Sequence, residues 1–218
     1  MQWSAIFFDF DGVVLDTTQV KTAAFAAMYE GEGPEIVAQV VAHHRLHGGI
    51  SRYHKFRHFE ETILGRPLDD ARLEALAREF TERSLEGVLA APPIPGALET
   101  LETLAASKTP VFVVSGTPQE ELDLVIDRRD LRHLFTEVHG SPPLKPVILE
   151  ELLGRHGLDR GRCLFLGDAL TDRDAALGAK MAFLGIEPPG DPHPFGPETP
   201  VSRRVYIPGP LELKALTR

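Results

Sequence analysis

Six polar residues draw attention by where they stand. Asp9 and Asp11 follow the apolar run "AIFF" (5–8), Ser115 follows "VFVV" (111–114), and Asp168 and Asp172 follow "CLFL" (163–166). Lys145 lies between the last two runs, in "GSPPLKP", just ahead of a helical pattern. Each alone is an ordinary surface residue; together they place carboxylates, a hydroxyl and an amine beyond the ends of apolar runs. Carboxylates gathered this closely raise one another's pKa unless a cation neutralises them. Donors that are all oxygen, with no His or Cys among them, suit a hard ion, Mg²⁺ above all. Held through Asp9 and Asp168, such an ion keeps positions free for phosphate oxygens. Lys145, the Ser115 hydroxyl and backbone N–H groups at the next helix start would cradle the remaining oxygens. The chemistry open to this set is phosphoryl transfer.

The elements that must position these groups can be read from the same runs. "AIFF", "VFVV", "CLFL", "AFLGI" (182–186) and "VYI" (205–207) are apolar on consecutive residues, as in strands buried on both faces of a parallel sheet. Helical stripes accompany them: Leu98, Leu101, Leu104 and Ala105 in "ALETLETLA", and Leu73, Leu76, Ala77 and Phe80 in "LEALAREF". The alternation predicts an α/β fold, a Rossmann-like doubly wound parallel sheet. In such sheets ligands collect outside the carboxyl ends of the strands. "TPQE" (117–120) reads as a capping box with Pro118 at the first helical position.

From 18 to 90 no strand pattern occurs, and the helical stretches suffice for four helices. We read an α-helical cap subdomain over 18–90, inserted in an α/β core made of 1–17 and 91–218. The segment after Thr17 and "APPIPG" (91–96) would be the hinges. "EPPGDPHPFGPETP" (187–200) reads as a Pro/Gly-rich surface loop.

Composition narrows the function. The 218 residues are 43% apolar and 25% charged, enough for a sizeable core. A formal net charge of −9 argues against a nucleic-acid surface. The single cysteine, Cys163, lies in an apolar run, so a buried inert thiol in a reducing compartment is expected. "MQWSAIFF" has no basic segment followed by a long apolar one, and no run approaches the roughly 20 residues that span a bilayer. The expectation is a soluble cytoplasmic protein with no membrane partner, a monomer or homodimer.

"DFDGVVLDT" (9–17), "VVSGT" (113–117), Lys145 and "GDALTD" (167–172) resemble, in order, the four motifs of the haloacid dehalogenase superfamily of phosphohydrolases. The resemblance runs from residue 5 to about 186, and "PIPGALETLETL" (93–104) resembles the segment after the family's cap. It implies Asp9 as the nucleophile that becomes an aspartyl phosphate. It implies Asp11 as the acid that protonates the leaving oxygen and the base that deprotonates water. Asp9, Asp168 and the Asp11 backbone carbonyl would ligate Mg²⁺. Ser115, Gly116, Thr117 and Lys145 would bind phosphate, with Lys145 also restraining Asp9. Asp172 would orient Lys145 or a metal-bound water.

Dehalogenating members lack the second aspartate, so Asp11 implies phosphate chemistry. Mutases resembling β-phosphoglucomutase carry His where this chain has Lys21. Many relatives read alanine-glycine within the stretch "GAKMA" (178–182), and Lys180 puts the tight turn there in doubt.

The insertion resembles the family's helical cap, and its "HHRLHGGISRYHKFRH" (43–58) is basic in an acidic chain. "GISR" followed by "KF" resembles the specificity loop of sugar-phosphate members, which makes Arg52 and Lys55 candidates for a second anionic group of the substrate. Phe56 and Phe59 read as cap core. His43, His44 and His47 lack Cys or Asp partners and read as helix histidines rather than a zinc site. The resulting expectation is a Mg²⁺-dependent phosphatase for a small phosphorylated metabolite. The alternatives are a sugar-phosphate mutase and a non-catalytic binding protein on the same scaffold.

Overall fold

The computed structural model describes residues 3–190 and 193–216. The outermost residues of the expected core, 1–2 and 217–218, and two of the 187–200 loop, 191–192, lie outside them. Six parallel strands form one sheet: β1 (Ala5–Phe8), β2 (Val111–Pro118), β3 (Glu137–Ser141), β4 (Cys163–Gly167), β5 (Ala182–Ile186) and β6 (Val201–Ser202). Their order is β3-β2-β1-β4-β5-β6, so the chain winds outward both ways from β1. β1 is central because all four of its residues are apolar and fully buried.

Alternate strand residues feed two apolar layers. Ile6, Phe8, Val113 and Leu164 meet Leu101 and Leu104 of α5 (Ala97–Ala106) and Leu122, Val125 and Ile126 of α6 (Gln119–Arg128). Phe7, Phe112 and Phe165 meet Ile148, Leu149 and Leu152 of α7 (Lys145–Arg155) and Ala175 and Ala176 of α8 (Leu170–Gly178). Cys163 is buried in this second layer, and burial pushes its thiol pKa up, which leaves it inert.

Four of the five expected strands form. "VYI" does not: Val205 is fully buried, but its N–H donates to the Pro95 carbonyl and its own carbonyl accepts from Thr100 Oγ1. Those bonds fasten the segment to the start of α5, and the short edge strand Val201–Ser202 takes the sheet position. Two strands have no sequence signal, the two-residue β6 and β3; β3 is "EVHGS", polar because it is an edge with a single neighbour. In α5 the stripe is narrower than read: Leu101 and Leu104 are buried, whereas Ala105 is exposed.

Between β1 and Ala90 the chain is helical: α1 (Thr18–Met28), α2 (Pro34–Leu46), α3 (Arg52–Arg57), a π-helical turn (His58–Ile63) and α4 (Asp70–Ala90). Leu73, Leu76, Ala77 and Phe80 of α4 are buried as their spacing predicts. They pack a cluster of their own around Phe25, whose ring lies 4.2 Å from Phe80 and 5.5 Å from both Phe56 and Phe59. Phe56 and Phe59 are fully buried there. The turn at Lys180 is kept, with Lys180 at φ 61 and Met181 N donating to the Ala176 carbonyl.

Candidate active site

β1 delivers Asp9 to the carboxyl edge of the sheet. Its N–H continues the ladder by donating to the Leu166 carbonyl at 2.9 Å. The chain then turns at Gly12, whose φ is +72 and whose N–H donates to Leu15 O. A Cβ at Gly12 would lie 2.3 Å from Asp168 Oδ2, so glycine there is what lets the two loops meet.

Lys145, first residue of α7, brings its ammonium between two carboxylates. Nζ lies 2.5 Å from Asp172 Oδ1 and 3.0 Å from Asp9 Oδ1. The second is an ion-pair contact without hydrogen-bond direction, since Asp9 Oδ1 is buried with no hydrogen-bond partner. Asp172, fully buried in the first turn of α8, also accepts from Ala169 N at 3.1 Å. Burial would lower the Lys145 pKa, but the charges of Asp172 and Asp9 outweigh it and hold it raised.

Asp9 is pushed up to about 7, first by burial and then by Asp172 and Asp11, against the pull of Lys145. Burial, with Asp9 and Asp172 beside it, pushes Asp168 well above the usual carboxylate range. Asp9, Asp168 and Asp172 each offer an oxygen, and these lie within 4.8 Å of one another. Three crowded carboxylates, two of them raised, and one buried oxygen without a hydrogen bond fit a hard divalent cation.

The Asp11 carboxylate stands outside that trio. It accepts from Thr17 Oγ1 at 2.6 Å and Thr117 Oγ1 at 2.7 Å, and lies 2.6 Å from Lys21 Nζ. Burial alone would raise it; the Lys21 charge and these hydrogen bonds hold it far below the carboxylate range. Thr117 is committed here, so the expected capping box at 117–120 does not form: Pro118 precedes α6 with no side-chain cap. Ser115 is buried and its Oγ accepts from Thr117 N at 3.1 Å.

Above these groups lies a cavity of about 260 Å³. Asp9, Asp11, Ser115, Gly116, Thr117 and Asp168 line it from the sheet edge; Lys21, His44, Arg52, Lys55, Phe25 and Phe80 line it from the helices. The Gly48–Ser51 loop closes one side. Thr171 Oγ1 donates to Gly48 O at 2.7 Å, Ser51 Oγ lies 3.2 Å from Ser141 Oγ, and a Cβ on Gly116 would lie 2.3 Å from Gly49 O.

The sequence profile of the haloacid dehalogenase-like hydrolases matches residues 3–180. The chain belongs to that family. Among the relatives of this haloacid dehalogenase-like hydrolase are the phosphoglycolate phosphatase of Pasteurella multocida, 27% identical over 85% of this chain and 86% of that protein, and the N-acetylmuramic acid 6-phosphate phosphatase of Pseudomonas aeruginosa, 27% identical over 98% and 94%. A crystal structure of β-phosphoglucomutase from Clostridium difficile shares the fold, with a TM-score of 0.71 and 18% identity over 86% and 85% of the two chains. The hydrolase is one of phosphoric monoesters.

The structure of this hydrolase brings Asp9, Lys145, Asp168 and Asp172 together and sets Asp11, Ser115, Gly116 and Thr117 around the same cavity. Arg52 and Lys55 both reach it, but the Arg52 guanidinium is already held by Glu121. His43 lies against both His47, at 4.2 Å between ring centres, and His58, at 3.9 Å, but His44 turns away from them, its Nδ1 meeting Lys55 Nζ at 2.8 Å. Among the described residues the aspartate trio is the one metal-capable group with ligand atoms that close.

Sequence reasoning missed Glu121 and His44, which have no local signature. It also missed that the 187–200 loop lines the cavity with Pro188, His193 and Pro194. No helix among the described residues is long and apolar enough to cross a membrane.

Proposed function

We propose that the protein is a Mg²⁺-dependent phosphatase acting on a small phosphorylated metabolite through an aspartyl phosphate at Asp9. The supporting observation is the Asp9 carboxylate, buried beside Lys145 and without a hydrogen bond on Oδ1. In the first half-reaction an Asp9 oxygen attacks phosphorus, the ester P–O bond breaks, and Asp11 protonates the departing alkoxide. In the second, Asp11 takes a proton from water, the water oxygen bonds to phosphorus, and Asp9 leaves as carboxylate with release of phosphate.

Lys145 restrains Asp9 and meets phosphate oxygens, the Ser115 hydroxyl and the Gly116 and Thr117 backbone bind the others, and Asp172 holds Lys145 in place. The Lys21 contact keeps Asp11 anionic, as the base half requires; the acid half requires Asp11 to carry the proton it took from water in the preceding turnover and to deliver it, away from Lys21, to the leaving oxygen. Asp9, Asp168 and the Asp11 carbonyl would hold Mg²⁺, which when bound supplies positive charge against phosphate and carboxylates.

The cap of 18–90 on a core of 1–17 and 91–218, the cytoplasmic setting and a monomeric or homodimeric state belong to the same reading. Lys21, where mutases carry His, supports hydrolysis over mutase chemistry. The test is p-nitrophenyl phosphate hydrolysis with Mg²⁺. Asp9→Asn is expected to abolish it, and EDTA to stop it until Mg²⁺ is restored; undiminished turnover in either arm would refute the reading.

A further inference from the structure

Among the described residues, two buried side-chain polar atoms have no hydrogen-bond partner, Asp9 Oδ1 and Thr18 Oγ1, and both residues line the same cavity. Asp9 Oδ1 is accounted for by phosphoryl chemistry. Thr18 lies just past the "DFDGVVLDT" stretch and opens α1. A buried hydroxyl without a partner is costly, and one kept at the wall of an active site points to a ligand.

The hydroxyls around it are all engaged. Thr17 Oγ1 and Thr117 Oγ1 donate to Asp11, and Thr22 Oγ1 donates to the Thr18 carbonyl. Thr171 Oγ1 donates to Gly48 O, and Ser115 Oγ accepts from Thr117 N. Thr18 also has a definite place, on the side of Asp168. The point where a Gly12 Cβ would stand is 2.3 Å from Asp168 Oδ2 and 3.0 Å from Thr18 Cγ2, so the two side chains flank one glycine.

We infer that Thr18 is a positioning residue for the divalent cation, its hydroxyl holding a water of the ion's hydration shell beside Asp168. The inference rests on the Mg²⁺ reading and deepens it. Asp9, Asp168 and the Asp11 carbonyl fill only part of an octahedral shell, and Mg²⁺ dehydrates reluctantly, so it keeps water elsewhere. Outer partners that hold such ligands in place tune the affinity of the site. A hydroxyl suits the task, since it accepts from a water and still has a proton to donate. A fourth carboxylate there would add to the crowding of Asp9, Asp168 and Asp172; a neutral hydroxyl does not.

The experiment is calorimetric unfolding without substrate, in EDTA and across a Mg²⁺ series, of the wild type, Thr18→Val, Thr18→Ser and Asp168→Asn. The rise of Tm with Mg²⁺ gives a Kd for each protein. Asp168→Asn, short of one ligand, marks the rise that owes nothing to the site. Thr18→Val keeps the shape and drops the hydroxyl, so its Kd should rise about tenfold, while Thr18→Ser should stay within about threefold of the wild type. Thr18→Ala reads the same loss should the valine variant not fold. In EDTA, Thr18→Val should melt no lower than the wild type, because the methyl that replaces the hydroxyl needs no partner. A wild-type Kd in Thr18→Val, or a lower Tm for it in EDTA, would overturn the inference and leave the Mg²⁺ reading standing. A raised KM for p-nitrophenyl phosphate with that Kd unchanged would overturn it too, in favour of a substrate contact. A wild type whose Tm follows Mg²⁺ no more than that of Asp168→Asn would refute the Mg²⁺ reading itself, and this inference with it.

Discussion

Arg52 grips Glu121 with both terminal nitrogens, 2.7 and 2.5 Å from the two carboxylate oxygens, across 69 residues of sequence. Thr81 completes the set: it accepts from Arg52 Nη1 at 2.7 Å and donates to Glu121 Oε2 at 2.6 Å. Arg52 is on α3, Thr81 on α4 and Glu121 on α6, so this buried triad joins the helical region to the sheet's own helix. The guanidinium also lies 4.5 Å over the Phe80 ring, a cation–π contact that fixes its plane.

Arg52→Met leaves Glu121 buried and unpaired, and breaking a buried pair from one side costs about 3–5 kcal/mol. Differential scanning calorimetry should show a lower Tm, with a smaller loss for Glu121→Gln. In the wild type, burial would raise the Glu121 pKa but the Arg52 charge outweighs it, so the net shift is downward. The stabilisation is therefore full above the ordinary carboxylate range and fades as the pH falls through it. An Arg52→Met protein as stable as the wild type at neutral pH would refute this account.

Gly12→Ala tests the contact between the two acidic loops. The added Cβ would meet Asp168 Oδ2, and the backbone would be held at φ +72, which costs about 1–2 kcal/mol for a non-glycine residue. Displacing Asp168 should raise the Mg²⁺ concentration for half-maximal activity about 10- to 100-fold. A Mg²⁺ titration of p-nitrophenyl phosphate hydrolysis measures it, and an unchanged midpoint would show that Asp168 moves aside without consequence.

Lys55 makes stability depend on pH with a definite sign. Its folded pKa of about 7 lies below the roughly 10.4 of a free lysine, so between those values the unfolded chain binds a proton that the folded one lacks. Unliganded wild type should gain stability as pH rises from about 7 toward 10, relative to Lys55→Met. Urea midpoints for both proteins at several pH values give the difference. A difference that is flat, or falls with pH, would contradict the buried environment of Lys55.

The sheet was legible wherever burial had written apolar residues consecutively, as in β1, β2, β4 and β5. β3 escaped because an edge strand keeps polar residues, and Val205 misled because burial without pairing leaves the same apolar mark. At the site, Asp9, Lys145, Asp168 and Asp172 could be expected together because each follows or precedes a regular element at the sheet's carboxyl edge. What stayed hidden were the choices among partners. Nothing local says that Thr117 spends its hydroxyl on Asp11 rather than on capping α6, or that Arg52 answers to Glu121. Nor does a run of histidines reveal that His44 alone turns to Lys55.

Gly49 and Gly116 touch backbone to backbone, with no room for even one methyl group between them. Such a seam is tight: a side chain at position 116 would push against the Gly49 carbonyl, and so against the loop that lines the cavity from the helical side.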